Sequence, residues 1–287
     1  MSNTEAKTAL RLAVRMYDDY QRMRLAMGNR AKIKKDGSAQ VTPPEQAEGF
    51  LLSERDKDLF IGLYNTAKQQ EDIVAKHISK SLKEFPIYTN WLKEVKGVGP
   101  LIAGRIISEY NIQKANTVSK LWQYTGLNPG YVYGKKVMKK TEATKSGHGI
   151  IKEYKNKKGE QECIVQTDEL IRGDKLTPGF IAPFNKNLRT AMCGILADSF
   201  IKSKSYYALE FYYPYKTRLE QEEGWKDVNP GHRDRAAKRY MIKNFLKDLY
   251  ASWRELEGLS VRPPYKEEYL GHVSSRKETL QSDEVAA

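Results

Sequence analysis

The sequence predicts a mainly α-helical protein, in which a long helical hairpin or coiled coil precedes a helix-hairpin-helix domain with a small β-hairpin insert. Apolar residues recur at helical spacing over several long segments, and a Gly-Val-Gly-Pro turn separates two apolar helical faces. One Lys- and Gly-rich stretch with a turn sequence at its centre interrupts this pattern.

From about Thr4 to Ala31, Leu10, Ala13, Tyr17, Tyr20 and Met27 fall on one side of a helix. Lys35-Asp36-Gly37-Ser38 and Pro43-Pro44 break it, and Ser53 can cap a second helix running to about Lys83. Phe60, Leu63, Ala67, Val74 and Ile78 give that helix its apolar stripe. Residues 1–83 therefore read as two long helices, packed antiparallel within the chain or against another copy, and a homodimer is expected through them.

A compact helical section, 84–130, follows. In the basic insert, 131–180, Gly149–Lys155 and Glu160–Thr167 flank Asn156-Lys157-Lys158-Gly159, whose glycine can take the left-handed position of a hairpin turn. In 181–273, helices near Pro183–Lys202 and Arg233–Leu256 present core faces: Leu188, Met192, Ile195, Leu196 and Phe200, then Ile242, Phe245, Leu249, Trp253 and Leu256. Residues 274–287 are polar and patternless, and disorder is expected there.

With 287 residues, a formal charge of +13 and a pI near 9.4, the chain attracts polyanions, nucleic acid before anionic membrane. No apolar run of about 18 residues spans a bilayer, and the polar start Met1-Ser2-Asn3-Thr4-Glu5 is unlike a signal peptide, so a cytoplasmic location is expected. Cys163 and Cys193 lack ligand spacing and read as reduced thiols. His77, His148, His232 and His272 are scattered without an HExxH pair, so no metal or cofactor is expected.

The functional expectation centres on Lys96-Gly97-Val98-Gly99-Pro100. Trp91, Leu92 and Val95 form one helical face and Ile102, Ala103, Ile106 and Ile107 the next, while the intervening glycines permit unusual backbone angles and leave the main chain bare. Pro100 suits the first turn of the second helix, whose free N–H groups and dipole favour a phosphate oxygen. Lys96 and Arg105 add charge beside it, and Ala103-Gly104 is a close-packing pair. An ordinary αα-turn would explain the glycines as well.

Lys135, Lys136, Lys139, Lys140 and Lys145, with Lys152, Lys155, Lys157 and Lys158 of the hairpin, can meet phosphates together or form a solvated loop. Arg239, Lys243, Lys247 and Arg254 make a basic stripe on the last helix, for DNA or for water. Tyr206-Tyr207 and Phe211-Tyr212-Tyr213-Pro214-Tyr215 can stack on bases or seal a core.

Trp91–Pro100, together with Leu121-Trp122-Gln123-Tyr124-Thr125-Gly126-Leu127-Asn128-Pro129, resembles the C-terminal transposase domain of DEDD-type, RNA-guided insertion-sequence transposases. Pro183-Phe184-Asn185-Lys186-Asn187-Leu188-Arg189 is similar to that domain's next helix, and the helices before Trp91 to the coiled coil joining the family's two domains. The resemblance implies a DNA-binding protein of a mobile element, with Lys186 and Arg189 added to the nucleic-acid contacts. The family's RuvC-like nuclease domain has no counterpart in the roughly 90 residues before the hairpin, so its magnesium-binding carboxylates are missing. Tyr133 stands ahead of Gly134 where the family has its nucleophilic serine, and Ser146-Gly147 is the nearest serine-glycine pair. Two alternatives stay open: a recombinase using Tyr133 or Ser146 with a partner nuclease, and an RNA-binding protein of a mobile element.

Overall fold

The computed structural model describes residues 3–30 and 54–263, and these are mainly helical with one small antiparallel sheet. They form two compact units: the described residues up to Glu94 with Gly99–Glu109, and Val95–Val98 with those from Tyr110 onward. The segment 84–130, expected as one helix-hairpin-helix domain, is thus shared between the units. The chain breaks near Lys35–Ser38 and Pro43-Pro44, the Ser53 cap and the polar tail lie outside the described residues.

In the first unit, α1 (Asn3–Arg30) and α2 (Glu54–Ser81) pack antiparallel within the chain. Arg24 reaches Glu71, while further along Gly28 abuts the Tyr64 ring. Leu10, Ala13 and Tyr17 line the seam from α1, as the spacing predicts, with Val14 beside them, while Tyr20 and Met27 are half-buried. On α2 the buried residues are Tyr64, Ala67, Glu71 and Ile78, whereas Phe60 and Leu63 are 38% and 44% exposed. Ala67 and Ile78 are buried as expected and Val74 is half-buried, while Tyr64 replaces Leu63 in the seam and the carboxylate of Glu71 joins it. Arg24 pairs with Glu71 at 2.5 Å and Gln21 donates to it at 3.2 Å, which makes its burial tolerable.

Two 3₁₀ turns (Leu82–Glu84, Leu92–Glu94) flank α3 (Pro86–Asn90), so a short broken segment replaces the continuous helix expected around Trp91, Leu92 and Val95. Next, α4 (Pro100–Glu109) packs on the long helices. At Gly104 a Cβ would lie 3.0 Å from Ile78 Cγ2 and 3.3 Å from Val14 Cγ2, so the missing side chain sets the approach. Leu10 and Ile78, both fully buried, each contribute about 1.5–3 kcal/mol of burial there.

The second unit begins with α5 (Val118–Thr125) and the sheet strands β1 (Tyr131–Lys139), β2 (Gly149–Lys155) and β3 (Gln161–Arg172), in the order β1-β3-β2. The β2–β3 hairpin turns at Asn156–Gly159 with Gly159 at φ +81°, as its sequence predicts. Strand β1 and α6 (Lys140–Ser146) arise where the sequence suggested only basic loop, because the Lys-rich alternation hides a buried Gly134 under Phe180. Ala143, Cys163 and Val165, with Met138, close one face of the sheet.

The remaining helices are α7 (Lys186–Thr190), a π-helical turn (Ala191–Leu196), α8 (Ala197–Lys202), a second π turn (Ala208–Tyr212), α9 (Tyr213–Gln221), α10 (Glu223–Lys226) and α11 (Pro230–Leu256). Leu188, Met192, Leu196 and Phe200 face the core, but Ile195 is 53% exposed because the wider π turn shifts the helical phase. On α11, Ile242, Phe245, Leu249 and Trp253 are buried, and the final Leu256 is exposed. Phe200, Tyr207 and Phe245 pack with ring centroids 5.1–5.3 Å apart. Tyr207 and Tyr212 are buried and donate to Asp248 and Asp234, so these two tyrosines seal a core instead of displaying rings for bases. No described helix is long and apolar enough to cross a membrane.

Candidate nucleic-acid interface

The glycine turn serves packing more than its sequence suggests. Gly97 has φ +100°, a conformation open essentially to glycine, and an added Cβ would stand 2.7 Å from Phe200 Cδ1 and 3.1 Å from Ser203 Oγ. Its carbonyl accepts a hydrogen bond from Ser199 at 2.7 Å, and Val98 N–H donates to Val95 at 3.0 Å. The bareness of Gly97 therefore admits α8 and offers little to a ligand. Val98 is half-buried and Lys96 exposed, both in the second unit.

In the first unit, Gly99 and Pro100 are exposed, and nothing lies within 4 Å of a Cβ placed on Gly99. The first intrahelical bond of α4 runs from Ala103 N–H to the Gly99 carbonyl at 3.0 Å, which leaves the Leu101 and Ile102 N–H groups as the open end of the helix. Arg105 does not stand beside that end as a phosphate ligand. Both its terminal nitrogens pair with Asp18, one at 2.7 Å, with side chains 16% and 28% exposed. Asp18 is accordingly a structural partner, not a solvated charge.

The lysines of the insert separate by strand alternation. Lys136 pairs with Glu169 at 2.7 Å over the Phe180 ring, and Lys140 pairs with Glu153 at 2.7 Å. Lys135 and Lys139 point to the opposite, open face, where Val137 and Ile164 align with Lys152 of β2. Neither these two lysines nor Lys152 has an ion pair among the described residues. Cross-strand from Lys139, Glu162 is held by Tyr154 and Asn156, and hydrogen bonds from Asn156 and Tyr154, with the charge of Lys139, keep its carboxyl below the usual range. Tyr131 and Tyr133 are 69% and 56% exposed on β1. Lys145, Lys155, Lys157 and Lys158 are exposed nearby.

Two segments that carry the family resemblance meet within the second unit. Gly126 caps α5 with φ +74°, and the Phe184 ring occupies the space of its absent side chain, 2.6 Å from a built Cβ. Asn185 N–H donates to the Tyr124 carbonyl at 2.9 Å, and the Asn185 side chain caps α7 through Leu188 N–H. Lys186 is exposed. Arg189 lies over Phe184 at 4.7 Å and donates to the Asp174 carbonyl at 2.5 Å.

The basic stripe of α11 divides as well. Lys243 sits over the Trp122 ring at 5.1 Å, and Trp122 Nε1 donates to the Lys243 carbonyl at 3.1 Å. Arg254, 5% exposed, donates to the carbonyls of Ile112, Ala115 and Ser260 and is a core strut, not a ligand group. Arg239 instead joins Arg189, Arg235 and Lys238 around one pocket. Arg235 and Lys238 were not singled out from the sequence. Their spacing to Arg239 on one helical face was the available signal, but only packing shows which face closes on α7.

The catalytic candidates are not assembled. Ser146 Oγ donates to the Ala143 carbonyl at 2.9 Å and accepts from His148 N–H at 3.3 Å, a turn-stabilising arrangement. No base among the described residues hydrogen-bonds either Ser146 or Tyr133, and no group of three or more His, Cys, Asp or Glu is poised for a metal there. Both cysteines are free thiols; burial pushes Cys193 up to about 11, so it is protonated at neutral pH. Compared with protein-family models, curated proteins and solved structures, the chain matches none.

Proposed function

We propose that the protein is a cytoplasmic DNA-binding protein that grips the phosphate backbone without reading sequence. The carrying observation is the open face of the sheet, where Lys135, Lys139 and Lys152 stand without ion pairs. Lysines on the closed side and at the start of α6 are neutralised by Glu169 and Glu153, so alternation leaves charge on one side of the sheet. Ammonium groups on a rigid sheet suit phosphate oxygens, and the exposed tyrosines of β1 give bases a surface to rest on. The open end of α4 offers further N–H groups, as first expected of the glycine turn. Descent from insertion-sequence transposases belongs to the proposal, on the strength of Trp91–Pro100, Leu121–Pro129 and Pro183–Arg189. A homodimer is favoured by Leu59, Leu63 and Ile73, apolar residues exposed on α2.

Fluorescence anisotropy of labelled duplex DNA across a salt series tests the reading. Each phosphate contact contributes a slope of about −0.9 in log K against log salt. The triple variant Lys135→Gln, Lys139→Gln, Lys152→Gln should bind more weakly and lose up to about 2.7 of that slope. Unchanged affinity and slope would refute the assignment, and tighter binding to RNA of equal length would move it to RNA.

A further inference from the structure

The second unit contains a pocket of about 260 Å³ whose walls are Arg189 at the end of α7, Cys193 and Gly194 on the first π turn, and Arg235, Lys238 and Arg239 on α11. Among the described residues its charges are balanced only in part. Lys238 is neutralised by Asp198 at 2.8 Å and Asp234 at 3.0 Å. Asp174, whose charge also acts on Arg239, forms a two-point pair with Arg172 and gives Arg189 only its carbonyl. Three arginines, Arg189, Arg235 and Arg239, therefore line the pocket with no ion pair of their own among the described residues. Burial, then the charge of Arg189, holds Arg239 below the ordinary guanidinium value, as expected for a cation kept half-buried beside its like.

The walls are also shaped for a guest. Arg189 is fixed in place by Phe184 and the Asp174 carbonyl, neither of which cancels its charge. Gly194 lies in a π turn, a distortion common at functional sites, and nothing stands within 4 Å of a Cβ built there. The volume holds far more than a single water. Guanidinium forks match phosphate oxygens pairwise, and three arginines without ion pairs suit a doubly charged group better than a singly charged diester.

We propose that this pocket binds a phosphate monoester through Arg189, Arg235 and Arg239, and that the phosphorylated end of a nucleic-acid strand is its guest. The strand-end part rests on the DNA-binding reading, whereas the phosphate site itself does not.

The test measures binding of a 5′-phosphorylated oligonucleotide, its 5′-hydroxyl twin and a nucleoside monophosphate to the full chain and to two variants. Gly194→Leu fills the pocket while keeping every charge. Arg239→Gln removes a cation that no described residue pairs with, so neither variant should lower thermal stability. The wild type should prefer the phosphorylated strand at least about tenfold, the worth of one charge-assisted hydrogen bond, and both variants should lose that preference while binding the hydroxyl twin as before. Equal binding of the two strands with no binding of the monophosphate, or a preference that survives Gly194→Leu, overturns the pocket and leaves DNA binding standing. Pocket-dependent binding of the monophosphate with no added affinity for either strand upholds the pocket and overturns the DNA reading.

Discussion

Replacing Gly97 or Gly99 with alanine makes the same chemical change two positions apart, yet the expected costs differ by several kcal/mol. At Gly97 the φ of +100° is sterically costly for an L-residue, about 1–3 kcal/mol, and the new methyl must displace the fully buried Phe200 ring from 2.7 Å. Overpacking of that kind adds about 1–3 kcal/mol, so Gly97→Ala should destabilise the second unit by about 2–5 kcal/mol. That corresponds to a fall in Tm of roughly 5–15 °C. Gly99 has neither positive φ nor any atom within 4 Å of a built Cβ, and Gly99→Ala should stay within about 0.5 kcal/mol of wild type. Urea melts followed by circular dichroism, with hydrogen exchange of the α8 amides, measure both. If Gly97→Ala melts with the wild type, the packing account of the turn is wrong. If Gly99→Ala is the damaging change, the open end of α4 is misdescribed.

The first unit should be acid-sensitive through Glu71. Burial alone would raise its carboxyl, but hydrogen bonds from Arg24, Tyr17 and Gln21 outweigh that and hold it below 4.5. Its stabilisation is thus complete above about pH 4.5 and lost as pH falls through the lower folded value, and Glu71→Gln should flatten melting curves between pH 5 and 3 while costing about 3 kcal/mol at pH 7. Arg105→Ala should lower stability by about 1–3 kcal/mol through loss of the Asp18 pair and leave the DNA salt slope unchanged; a reduced slope would restore Arg105 as a phosphate ligand. Arg254→Met strands the carbonyls of Ile112, Ala115 and Ser260 and should cost about 3–5 kcal/mol, read as an earlier urea midpoint. A midpoint like that of the wild type would mean those carbonyls find other donors.

Where one physical rule acted alone, the sequence was sufficient. Helical spacing located α1, α2 and α11 to within a few residues, and Asn156–Gly159 announced the hairpin turn, because local periodicity and left-handed glycine need no distant partner. The buried face of α2 was right at Ala67 and Ile78 and misjudged at its start, since the rule counts Phe60 and Leu63 as core and has no place for a carboxylate that Arg24 neutralises. Strand β1 was missed because its lysines look solvated until the opposing strand gives one of them, Lys136, an acidic partner.

The chain's charge, its helical content and the position of the glycine turn are written in its residues, because each follows from neighbours within a few positions. Which cations are engaged was decided by long-range packing: Arg105 and Arg254 were withdrawn by Asp18 and by backbone carbonyls, while Lys135, Lys139 and Arg239 kept no ion pair among the described residues. An ion pair needs its partner within about 4 Å, and residues as far apart as Asp18 and Arg105 come that close only once the chain has folded.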